Sequence, residues 1–353
     1  MRIGIDAREI VGRQTGVGRH LSGLLAEWRE SDAARMHQFV LYAHDTIPDA
    51  RPFVVRIVPG TSGTWWQQVQ LPRAVRDDRL DVFFSPQYTT PLLITTKTAV
   101  VIHDVSFVAH PEWFRFREGL RLRWLTRASA ANACAVITVS DFSRQEIVEH
   151  LRVPASRIHV IRPGLFVRNT NQRSVREPKV LFVGSIFNRR HVPDLIAAVA
   201  PILRVHPSAS LDIVGDNRSY PHEDVMAAIE REQLGEQITW HRYASDEQLA
   251  DLYGRARAFV FLSEYEGLGL TPLEALTAGV PPVLFDTAVG RDSCGDAALY
   301  VPRNRPLDIQ PAIEQLLFDE RIRERLLAAA PEALARFSWT RAARETLQLL
   351  ERC

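Results

Sequence analysis

The stretch AFVFLSEYEGLGLTPLEALTAGVPPVLFD (258–286) decides the fold. It starts and ends with short apolar runs, AFVFLS and PVLFD (282–286), which are typical of strands buried on both faces. Between them, Thr271 and Glu274 have the spacing of a capping box, and Gly279 is a helix stop signal. A strand, a helix and a second strand in this order predict a βαβ unit and a parallel sheet.

The same alternation extends in both directions along the chain. Buried-strand patterns occur at 2–6, 39–43, 81–85, 99–103, 135–139, 158–161, 179–184, 211–215 and 238–240. Helical patterns occur at 141–151, with Ser140 or Ser143 as the cap, at 246–254, with Ser245 and Gln248 as a capping box, and at 339–351. The pattern predicts two doubly wound α/β domains with a ligand cleft between them.

The polar, aperiodic stretch RPGLFVRNTNQRSVREPK (162–179) interrupts the alternation and predicts a linker. We therefore expect an N-terminal domain at 1–165, a linker at 166–178, a C-terminal domain at 179–336 and a final helix at 337–353. A length of 353 residues agrees with two domains, because one core rarely supports so long a chain.

Composition excludes several classes of protein. With 46% hydrophobic and 24% charged residues, the chain resembles an ordinary globular protein. A net charge of +1 and the lack of a nucleic-acid motif argue against DNA or RNA as a partner. Cys134, Cys294 and Cys353 are far apart, so we expect neither a disulfide framework nor a zinc site. Without a signal-like start or a long apolar run, we expect a cytoplasmic protein.

The loop EGLGLTPLE (266–274) places two glutamates around glycines and contains no lysine or arginine. Backbone N–H groups at the start of the following helix favour an anion without any basic side chain. Ionised carboxylates only accept hydrogen bonds, so Glu266 and Glu274 would bind hydroxyl groups beside that anion. A nucleotide sugar has this chemistry, whereas Glu274 as a simple helix cap is the structural alternative. The absence of G-x-G-x-x-G argues against a nicotinamide-dependent dehydrogenase.

The stretch SEYEGLGLTPLEALTAGVPPV (263–283) resembles the E-x7-E signature of retaining GT-B glycosyltransferases of the GT4 family. The resemblance covers nearly the whole chain and includes GIDARE (4–9), TGVGRHL (15–21), DVFFSPQ (81–87), VIHDVSF (101–107), VITVSDFSRQEI (136–147), VLFVGSIFNRRHVPDLI (180–196) and CGDAALYV (294–301). It implies a GT-B fold: two Rossmann-like domains facing a central cleft, with the C-terminal helix returning to the N-terminal domain.

The resemblance also implies roles for individual residues. Glu266 would contact hydroxyls of the donor sugar, and Glu274 the ribose. His103 and Asp104 would act on the sugar side with Glu266 as the catalytic group. The remaining donor-binding residues would be the glycine loops Gly16, Val17, Gly18 and Gly267, Leu268, Gly269, Leu270, Thr271, together with Ser185, Arg189, Arg190 and Tyr243.

One position departs from the family pattern. Many members have arginine directly after the glycine that matches Gly184 and a lysine a few residues later, but here Ser185 follows Gly184 and Arg190 stands where the lysine falls. Arginine can bind a diphosphate bidentately, so the resemblance assigns that role to Arg190 and, with less support, to Arg189. Gly16 to Gly18 also have a structural alternative as a simple helix-entry turn.

The reaction implied by the resemblance is transfer of a hexose, with mannose or rhamnose favoured, to a glycan or lipid-linked acceptor with retention. The donor would be a GDP-sugar, with UDP or dTDP as alternatives. No D-x-D motif and no histidine–carboxylate cluster with metal-ligand spacing are found, so we expect neither a metal nor another cofactor. A nucleotide-sugar epimerase, a sugar phosphorylase and a non-enzymatic sugar-binding protein are the alternatives, although a phosphorylase would need a pyridoxal-bearing lysine.

A second feature is the segment WFRFREGLRLRWLTR (113–127). On a helix, Trp113, Phe116, Leu120 and Trp124 form an apolar stripe with arginines on both sides. Such a helix suits the surface of an anionic membrane, where lipid-linked acceptors are found. The alternative is a helix whose apolar stripe packs on the core while the arginines extend to solvent.

Overall fold

In the computed structural model, the structure describes residues 1–12, 16–166 and 176–353. The chain divides into two compact units, which are described separately. The first comprises Met1–Gly164 with Phe337–Cys353, and the second comprises Leu165–Arg336. Most of the predicted linker at 166–178 lies outside the described residues.

The first unit contains a seven-stranded sheet whose neighbouring strands are all parallel. The strands are β1 Arg2–Asp6, β2 Gln38–Ala43, β3 Val54–Ile57, β4 Val82–Ser85, β5 Lys97–Val101, β6 Ala135–Thr138 and β7 Ile158–Val160. Their spatial order is β3-β2-β1-β4-β5-β6-β7, so the chain reverses its direction of winding between β1 and β4. The central strands are almost wholly buried, because helices cover both faces of a parallel sheet.

The α-helices between the strands of this sheet are α1 Gly16–Glu30, α2 Asp32–Arg35, α3 Leu71–Arg76, α4 Ser106–Ala109, α5 Phe116–Asn132 and α6 Asp141–Leu151. The structure selects Ser140 rather than Ser143 as the cap of α6, since the Ser140 hydroxyl accepts a hydrogen bond from the Ser143 backbone N–H at 3.0 Å. The helix predicted at 141–151 is confirmed residue for residue.

The second unit contains a six-stranded parallel sheet. Its strands are β8 Lys179–Val183, β9 Ser210–Val214, β10 Ile238–His241, β11 Ala258–Phe261, β12 Pro282–Phe285 and β13 Leu299–Val301. The order β10-β9-β8-β11-β12-β13 places the reversal of winding between β8 and β11. The opening stretch of sequence therefore supplies β11 and β12, which are neighbours in the sheet, as the βαβ pattern predicts.

The helices of this unit are α7 Val192–Val205, α8 Val225–Glu232, α9 Asp246–Arg255, α10 Leu270–Thr277, α11 Ala288–Cys294, α12 Ile309–Phe318 and α13 Glu320–Leu334. The capping box predicted for α9 is confirmed, because Ser245 and Gln248 exchange side chain–backbone hydrogen bonds of 3.2 and 2.8 Å. A capping box of this kind satisfies two N–H groups that a helix start would otherwise expose.

The C-terminal helix α14, Trp339–Arg352, belongs to the first unit, which confirms the predicted return. It packs against α1, where the Trp28 indole donates a 2.9 Å hydrogen bond to the Ala343 carbonyl. The Trp339 indole fills a slot beside two glycines. A Cβ atom on Gly23 would lie 2.6 Å from the ring, and one on Gly164 would lie 2.3 Å from it.

The prediction that the cysteines form no disulfide framework is wrong for one pair. Cys134 and Cys353 form a disulfide across a sequence separation of 219 residues. Spacing along the chain gave no sign of this pairing, because the two residues meet only once α14 has returned to the first unit beside β6. Cys294 is a free, buried thiol in the second unit, and burial raises its pKa to about 12.

The glycine slot around Trp339 generates a stability prediction. Gly23→Ala places a methyl group inside contact distance of a rigid indole, so we expect the free energy of unfolding to fall by about 1–3 kcal/mol despite the better helix propensity of alanine. Urea unfolding of the full chain measures the change. Gly235→Ala is the matched control, since a Cβ atom there meets nothing within 4 Å. Equal stability of both variants would contradict the packing argument.

Candidate active site

The site in the second unit lies where its sheet reverses the direction of winding. β8 and β11 are adjacent and parallel, so their carboxyl ends reach the same edge. The chain continues from β8 into Gly184, Ser185 and the turn Asn188–Arg190, and from β11 into Ser263–Glu266. Ligands of open α/β sheets bind at this point, because the two connecting loops diverge and leave a crevice.

An ion pair joins the two loops. Arg190 Nε and Nη2 lie 2.8 and 2.7 Å from Glu266 Oε1, and Ser263 Oγ donates to the same oxygen at 2.8 Å. Arg190 Nη1 donates to the Ser185 carbonyl at 2.8 Å. The two side chains are only 13% and 17% exposed, so the pair is largely shielded from water.

The charge of Glu266 follows from these contacts. Burial alone would raise the pKa of its carboxyl group, but Arg190, with help from Arg189 and the Ser263 hydroxyl, brings the net pKa below the ordinary value. Glu266 is therefore a carboxylate at neutral pH. The Arg190 guanidinium also stacks over Phe187 and Phe261, at 5.3 and 4.8 Å from the ring centroids, which fixes its plane.

Gly184 is required by this arrangement. Its φ is +147°, and a Cβ atom there would lie 2.8 Å from Arg190 Nη1. Any side chain would therefore push the guanidinium away from the end of β8. The substitution of serine for the family's arginine concerns the next position, Ser185, whose backbone carbonyl is the group that Arg190 contacts.

The loop after Glu266 leads into α10, whose N-cap is Gly269 in the left-handed conformation, with φ +80°. The helix begins at Leu270, so the capping box predicted for Thr271 and Glu274 is wrong. Thr271 lies within the first turn and makes no capping hydrogen bond, because glycine at φ +80° starts the helix two residues before the sequence pattern places its cap. The first N–H groups of α10 have no carbonyl partner within the helix and are available to an anion.

Glu274 lies within α10 and is 6% exposed, so the cap explanation of this buried carboxylate no longer applies. Leu268 is buried in the core, and only its backbone can serve a ligand. Tyr243 follows β10 and is 63% exposed; β10 is the edge strand two positions from β8. The structure thus places Ser185, Arg189, Arg190 and Gly267 to Thr271 around the β8–β11 switch, with Tyr243 further along the same edge.

In the first unit, His103 and Asp104 follow β5. His103 Nε2 lies 2.9 Å from the Pro86 carbonyl, which can only accept, so Nε2 carries the proton. Burial keeps the ring neutral by lowering its pKa. Asp104 Oδ2 accepts from the Tyr88 hydroxyl at 2.9 Å, and Oδ1 accepts from Ser106, so Asp104 orients its loop. Gly16, Val17 and Gly18 form the first residues of α1.

Two groups of contacts were missed at the sequence level. His20, on α1, packs edge-on against His103 with ring centroids 5.2 Å apart, and burial together with His103 lowers the pKa of His20 to about 3. The sequence signal that could have indicated His20 was its position one helical turn after Gly16. Ser263, three residues before Glu266, donates a hydrogen bond to Glu266 Oε1 beside the one from Arg190 Nε.

The statement that no histidine–carboxylate cluster has metal-ligand spacing is wrong. Within the described part of the chain, Glu146, Glu149 and His150 on α6 place their ligand atoms within 4.8 Å of one another, so one histidine–carboxylate cluster does have such spacing. It was overlooked because the i, i+3, i+4 pattern is also that of an ordinary solvated helix face. The cluster lies on the first unit.

The segment 113–127 departs from its prediction at Trp113, and its exposure excludes the core-packed alternative. Trp113 precedes α5 and stacks on His110 at 4.0 Å, so it is not part of the helical stripe. Phe116, Leu120 and Trp124 are 82%, 55% and 63% exposed, which rules out the core-packed stripe. The opposite face of α5, with Leu125, Thr126 and Ser129, is the one that packs on the unit.

Two parallel sheets of Rossmann type, the second with a glycine loop between two glutamates at its switch point, are what the GT-B fold is expected to contain. Sucrose-phosphate synthase (tll1590) from Thermosynechococcus elongatus has the same fold, with a TM-score of 0.79 over 100% of this chain and 98% of that chain at 19% identity. The family model for glycosyl transferases group 1 matches residues 166–333, and that for glycosyltransferase family 4 matches residues 15–167. The chain belongs to this family of glycosyltransferases.

Two curated relatives are similar in sequence. O-antigen chain mannosyltransferase B of Escherichia coli is 27% identical over 78% of this chain and 75% of its own length. GDP-mannose:cellobiosyl-diphosphopolyprenol alpha-mannosyltransferase of Xanthomonas oryzae is 28% identical over 57% of this chain and 51% of its own length. Both similarities agree with the family assignment.

The Arg190–Glu266 pair generates a prediction with a defined pH dependence. Arg190→Gln leaves a shielded carboxylate without its cation, so we expect about 3 kcal/mol lower stability at neutral pH. Because the pKa of Glu266 is lowered in the fold, the pair's contribution is present above the carboxyl group's ordinary pKa and is lost as the pH falls through the lowered value. The deficit of the variant should therefore shrink in acid.

Denaturant unfolding across that pH range measures the deficit. Arg204→Gln is the control, since Arg204 pairs with Glu232 on the surface and such pairs contribute about 0–1 kcal/mol. A deficit in Arg190→Gln no larger than in the control would show that the pair does not hold the two loops together.

Proposed function

We propose that the chain is a retaining hexosyltransferase that moves a sugar, with mannose favoured, from a nucleoside-diphosphate sugar to a hydroxyl group of a glycan or lipid-linked acceptor. The observation that carries the proposal is the ionised Glu266, held by Arg190 at the β8–β11 switch and followed by a glycine loop and the N-terminus of α10. This combination offers an acceptor for hydroxyl groups beside donors for an anion.

The orientation of Glu266 supports a sugar as its ligand. Among the described residues, the hydrogen bonds of its carboxylate from Arg190 and Ser263 all end on Oε1. Oε2 is therefore the oxygen that can accept from a donor-sugar hydroxyl while Oε1 stays fixed. Holding the carboxylate on one oxygen removes its rotational freedom before the ligand arrives, which lowers the entropic cost of binding.

The diphosphate would bind next to this carboxylate. Arg190 has five N–H groups and donates hydrogen bonds from Nε to Glu266 and from Nη1 to Ser185, so N–H groups on its terminal nitrogens can serve phosphate oxygens. The amides of Gly267 to Thr271 and the dipole of α10 add further positive potential. Glu274 would accept from the ribose hydroxyls, and Tyr243 would lie near the base. Arg189 lies over Phe187 and would act through long-range charge.

In the proposed reaction the bond between the anomeric carbon and the phosphate oxygen breaks. The acceptor oxygen forms its bond on the same face, and its proton passes to an oxygen of the leaving diphosphate. The products are the glycoside and the nucleoside diphosphate, so atoms and charge balance. Arg190 and the loop amides stabilise the developing diphosphate charge, and we propose that neither a metal nor another cofactor is needed.

The first unit would bind the acceptor. His103, neutral and protonated on Nε2, presents Nδ1 as an acceptor for a sugar hydroxyl. Asp104 would hold the loop through Tyr88 and Ser106. Gly16 to Gly18, at the start of α1, would let the backbone approach the leaving diphosphate.

The names of both relatives support mannose as the sugar, and the name of the Xanthomonas oryzae relative supports GDP as the nucleotide. Rhamnose as the sugar and UDP or dTDP as the nucleotide are the alternatives. An epimerase would release an altered sugar without any acceptor, and a sugar-binding protein would prefer a free sugar to a nucleotide. Assays with different donors, with and without an acceptor, separate these sugars, nucleotides and classes of protein.

The proposal is tested by incubating the protein with GDP-mannose, UDP-glucose or dTDP-rhamnose and a lipid-linked acceptor. Glu266→Ala should reduce kcat/KM by at least about 10–100-fold, because a hydrogen bond to a charged group contributes about 1.5–3 kcal/mol. Glu274→Gln should mainly weaken binding of the nucleoside diphosphate. Product formation is measured by mass spectrometry, and anomeric configuration by NMR.

Added EDTA should leave the rate unchanged, and GDP should raise the melting temperature more than UDP or dTDP does. Turnover near the wild-type value in Glu266→Ala would contradict the site. Inversion at the anomeric carbon would contradict the mechanism but not the class of enzyme.

We also propose that α5 contacts an anionic membrane surface at its cytoplasmic face. No described helix is both long and apolar enough to span a bilayer. The exposed Phe116, Leu120 and Trp124 lie on one side of α5, next to exposed Arg117 and Arg121. An apolar strip with flanking cations is complementary to acyl chains below anionic headgroups.

Flotation with vesicles that contain anionic phosphatidylglycerol tests the membrane contact. Wild-type protein should float with these vesicles and not with purely zwitterionic ones, whereas Phe116→Ser with Trp124→Ser should remain at the bottom. Leu307→Ser is the matched control, because Leu307 is 87% exposed on the second unit. Flotation that does not depend on anionic lipid, or that survives the double substitution, would contradict the proposed surface.

A further inference from the structure

His191, the residue after Arg190, forms a second connection between the two loops of the donor site. Its ring nitrogens each face a carboxylate: Nε2 lies 2.6 Å from Glu264 Oε1, and Nδ1 lies 2.7 Å from Asp194 Oδ2. Ionised carboxylates accept hydrogen bonds and cannot donate them, so both nitrogens must carry protons. The geometry therefore describes a charged imidazolium.

Glu264 is tied to the turn by its backbone as well. Its N–H donates to the Arg189 carbonyl at 2.9 Å, and its second carboxylate oxygen, Oε2, accepts from Arg303 Nη2 at 2.7 Å. Both residues of this second pair are close in sequence to the first pair: Glu264 lies two residues before Glu266, and His191 directly follows Arg190. The turn 188–191 and the loop 263–266 are thus joined by two neighbouring ion pairs.

We propose that His191 is a positioning residue, whose charged contact with Glu264 holds the loop of Glu266 against the turn of Arg190 and so makes donor binding depend on the protonation of His191. The inference rests on the proposed function, because it concerns the same donor site. His191 itself need not touch the ligand, since it acts through Glu264.

The surroundings of His191 set the direction of the effect. Burial lowers its pKa, but hydrogen bonds and charge from Asp194 and Glu264 outweigh burial and raise the net value above the ordinary one. Glu223, which faces the same region and accepts from Asn188, adds negative charge. The edge of the ring packs on Phe285 of β12 at 5.2 Å. Positive charge in the same region includes Arg303, which contacts Glu264, and His222, which acts on Glu223; Arg189 and Arg190 directly precede His191 in the sequence.

The raised pKa of His191 determines the direction in which the contact with Glu264 depends on pH. The contact is fully formed below the ordinary histidine pKa of about 6.5 and is lost as the pH rises through the higher value of the folded protein. Binding of a nucleoside diphosphate should therefore weaken in the wild type as the pH rises through that value.

His191→Asn is the informative substitution. His191 has φ +49° and ψ +42°, and asparagine tolerates this left-handed conformation better than other uncharged residues that carry a side chain, so the change removes the charge with little strain on the backbone. Calorimetric titration with GDP and with UDP, at about pH 6 and about pH 9, measures binding. We expect about five- to tenfold weaker binding than wild type at the lower pH and nearly equal binding at the higher pH.

Glu264→Gln and the double variant test whether His191 acts through Glu264. At the lower pH the double variant should be no weaker than either single variant, and at the higher pH His191→Asn should add nothing in either background. A direct attraction between His191 and the diphosphate would instead survive in the Glu264→Gln background and would overturn the inference. His206→Asn is the matched control, since His206 lies at the other end of α7.

Amide hydrogen exchange in the free protein separates this inference from the proposed function. At about pH 6, residues 263–269 should exchange faster in His191→Asn than in wild type, whether or not the protein transfers a sugar. Equal exchange in both proteins, or an equal loss of nucleotide affinity at both pH values, would overturn the positioning role. Faster exchange in the variant together with a wild type that binds neither GDP nor UDP would contradict the proposed function and leave the loop contact established.

Discussion

The adjacency of β8 and β11 is the constraint on which the candidate site of the second unit depends. The two strands are far apart in sequence, but their parallel pairing brings Val180 beside Ala258 and carries the following loops to one edge. Sheet geometry alone therefore places Arg190 near Glu266. In the first unit the winding reverses in the same way between β1 and β4. The residues predicted to belong to the site in that unit follow β1 and β5, at the edge formed by the carboxyl ends of the strands. Site residues come from strand ends because helices cover both sheet faces.

Electrostatics explains why a shielded carboxylate and a cation are used together. Glu266 on its own would be neutralised by burial and could not accept reliably from a hydroxyl group. Arg190 keeps it ionised, and Ser263 and the aromatic rings fix the orientation of both groups. The cost of desolvating the pair lowers the stability of the fold, as is common where a site must be preorganised. A site built in this way can hold hydroxyl groups and an anion a few ångströms apart.

The sequence predicted the buried strands and the βαβ unit, because continuous apolar runs are local signals. The loop of the candidate site was located in the same way, since its motif directly follows a strand. The sequence pattern missed β3 and β13, which are edge strands too exposed or too short to show that signal. It misplaced the start of α10, since the left-handed Gly269 and not the side-chain pattern sets that start. The pairing of Cys134 with Cys353 and the contact of His20 with His103 depend on tertiary packing and have no local signature.

The histidines show why residue type alone does not assign a role. The rings of His103 and His20 pack against each other, and burial is the largest influence on the pKa of each. Both pKa values are lowered, so both rings stay neutral. His191 is also partly buried, yet two carboxylates hold it in the charged form. A neutral ring can accept a hydrogen bond from a sugar hydroxyl, whereas a charged ring can only donate and is suited to fixing carboxylates. The same type of side chain can therefore offer a hydrogen-bond acceptor in the first unit and join two loops in the second, and the partners of each ring nitrogen decide which.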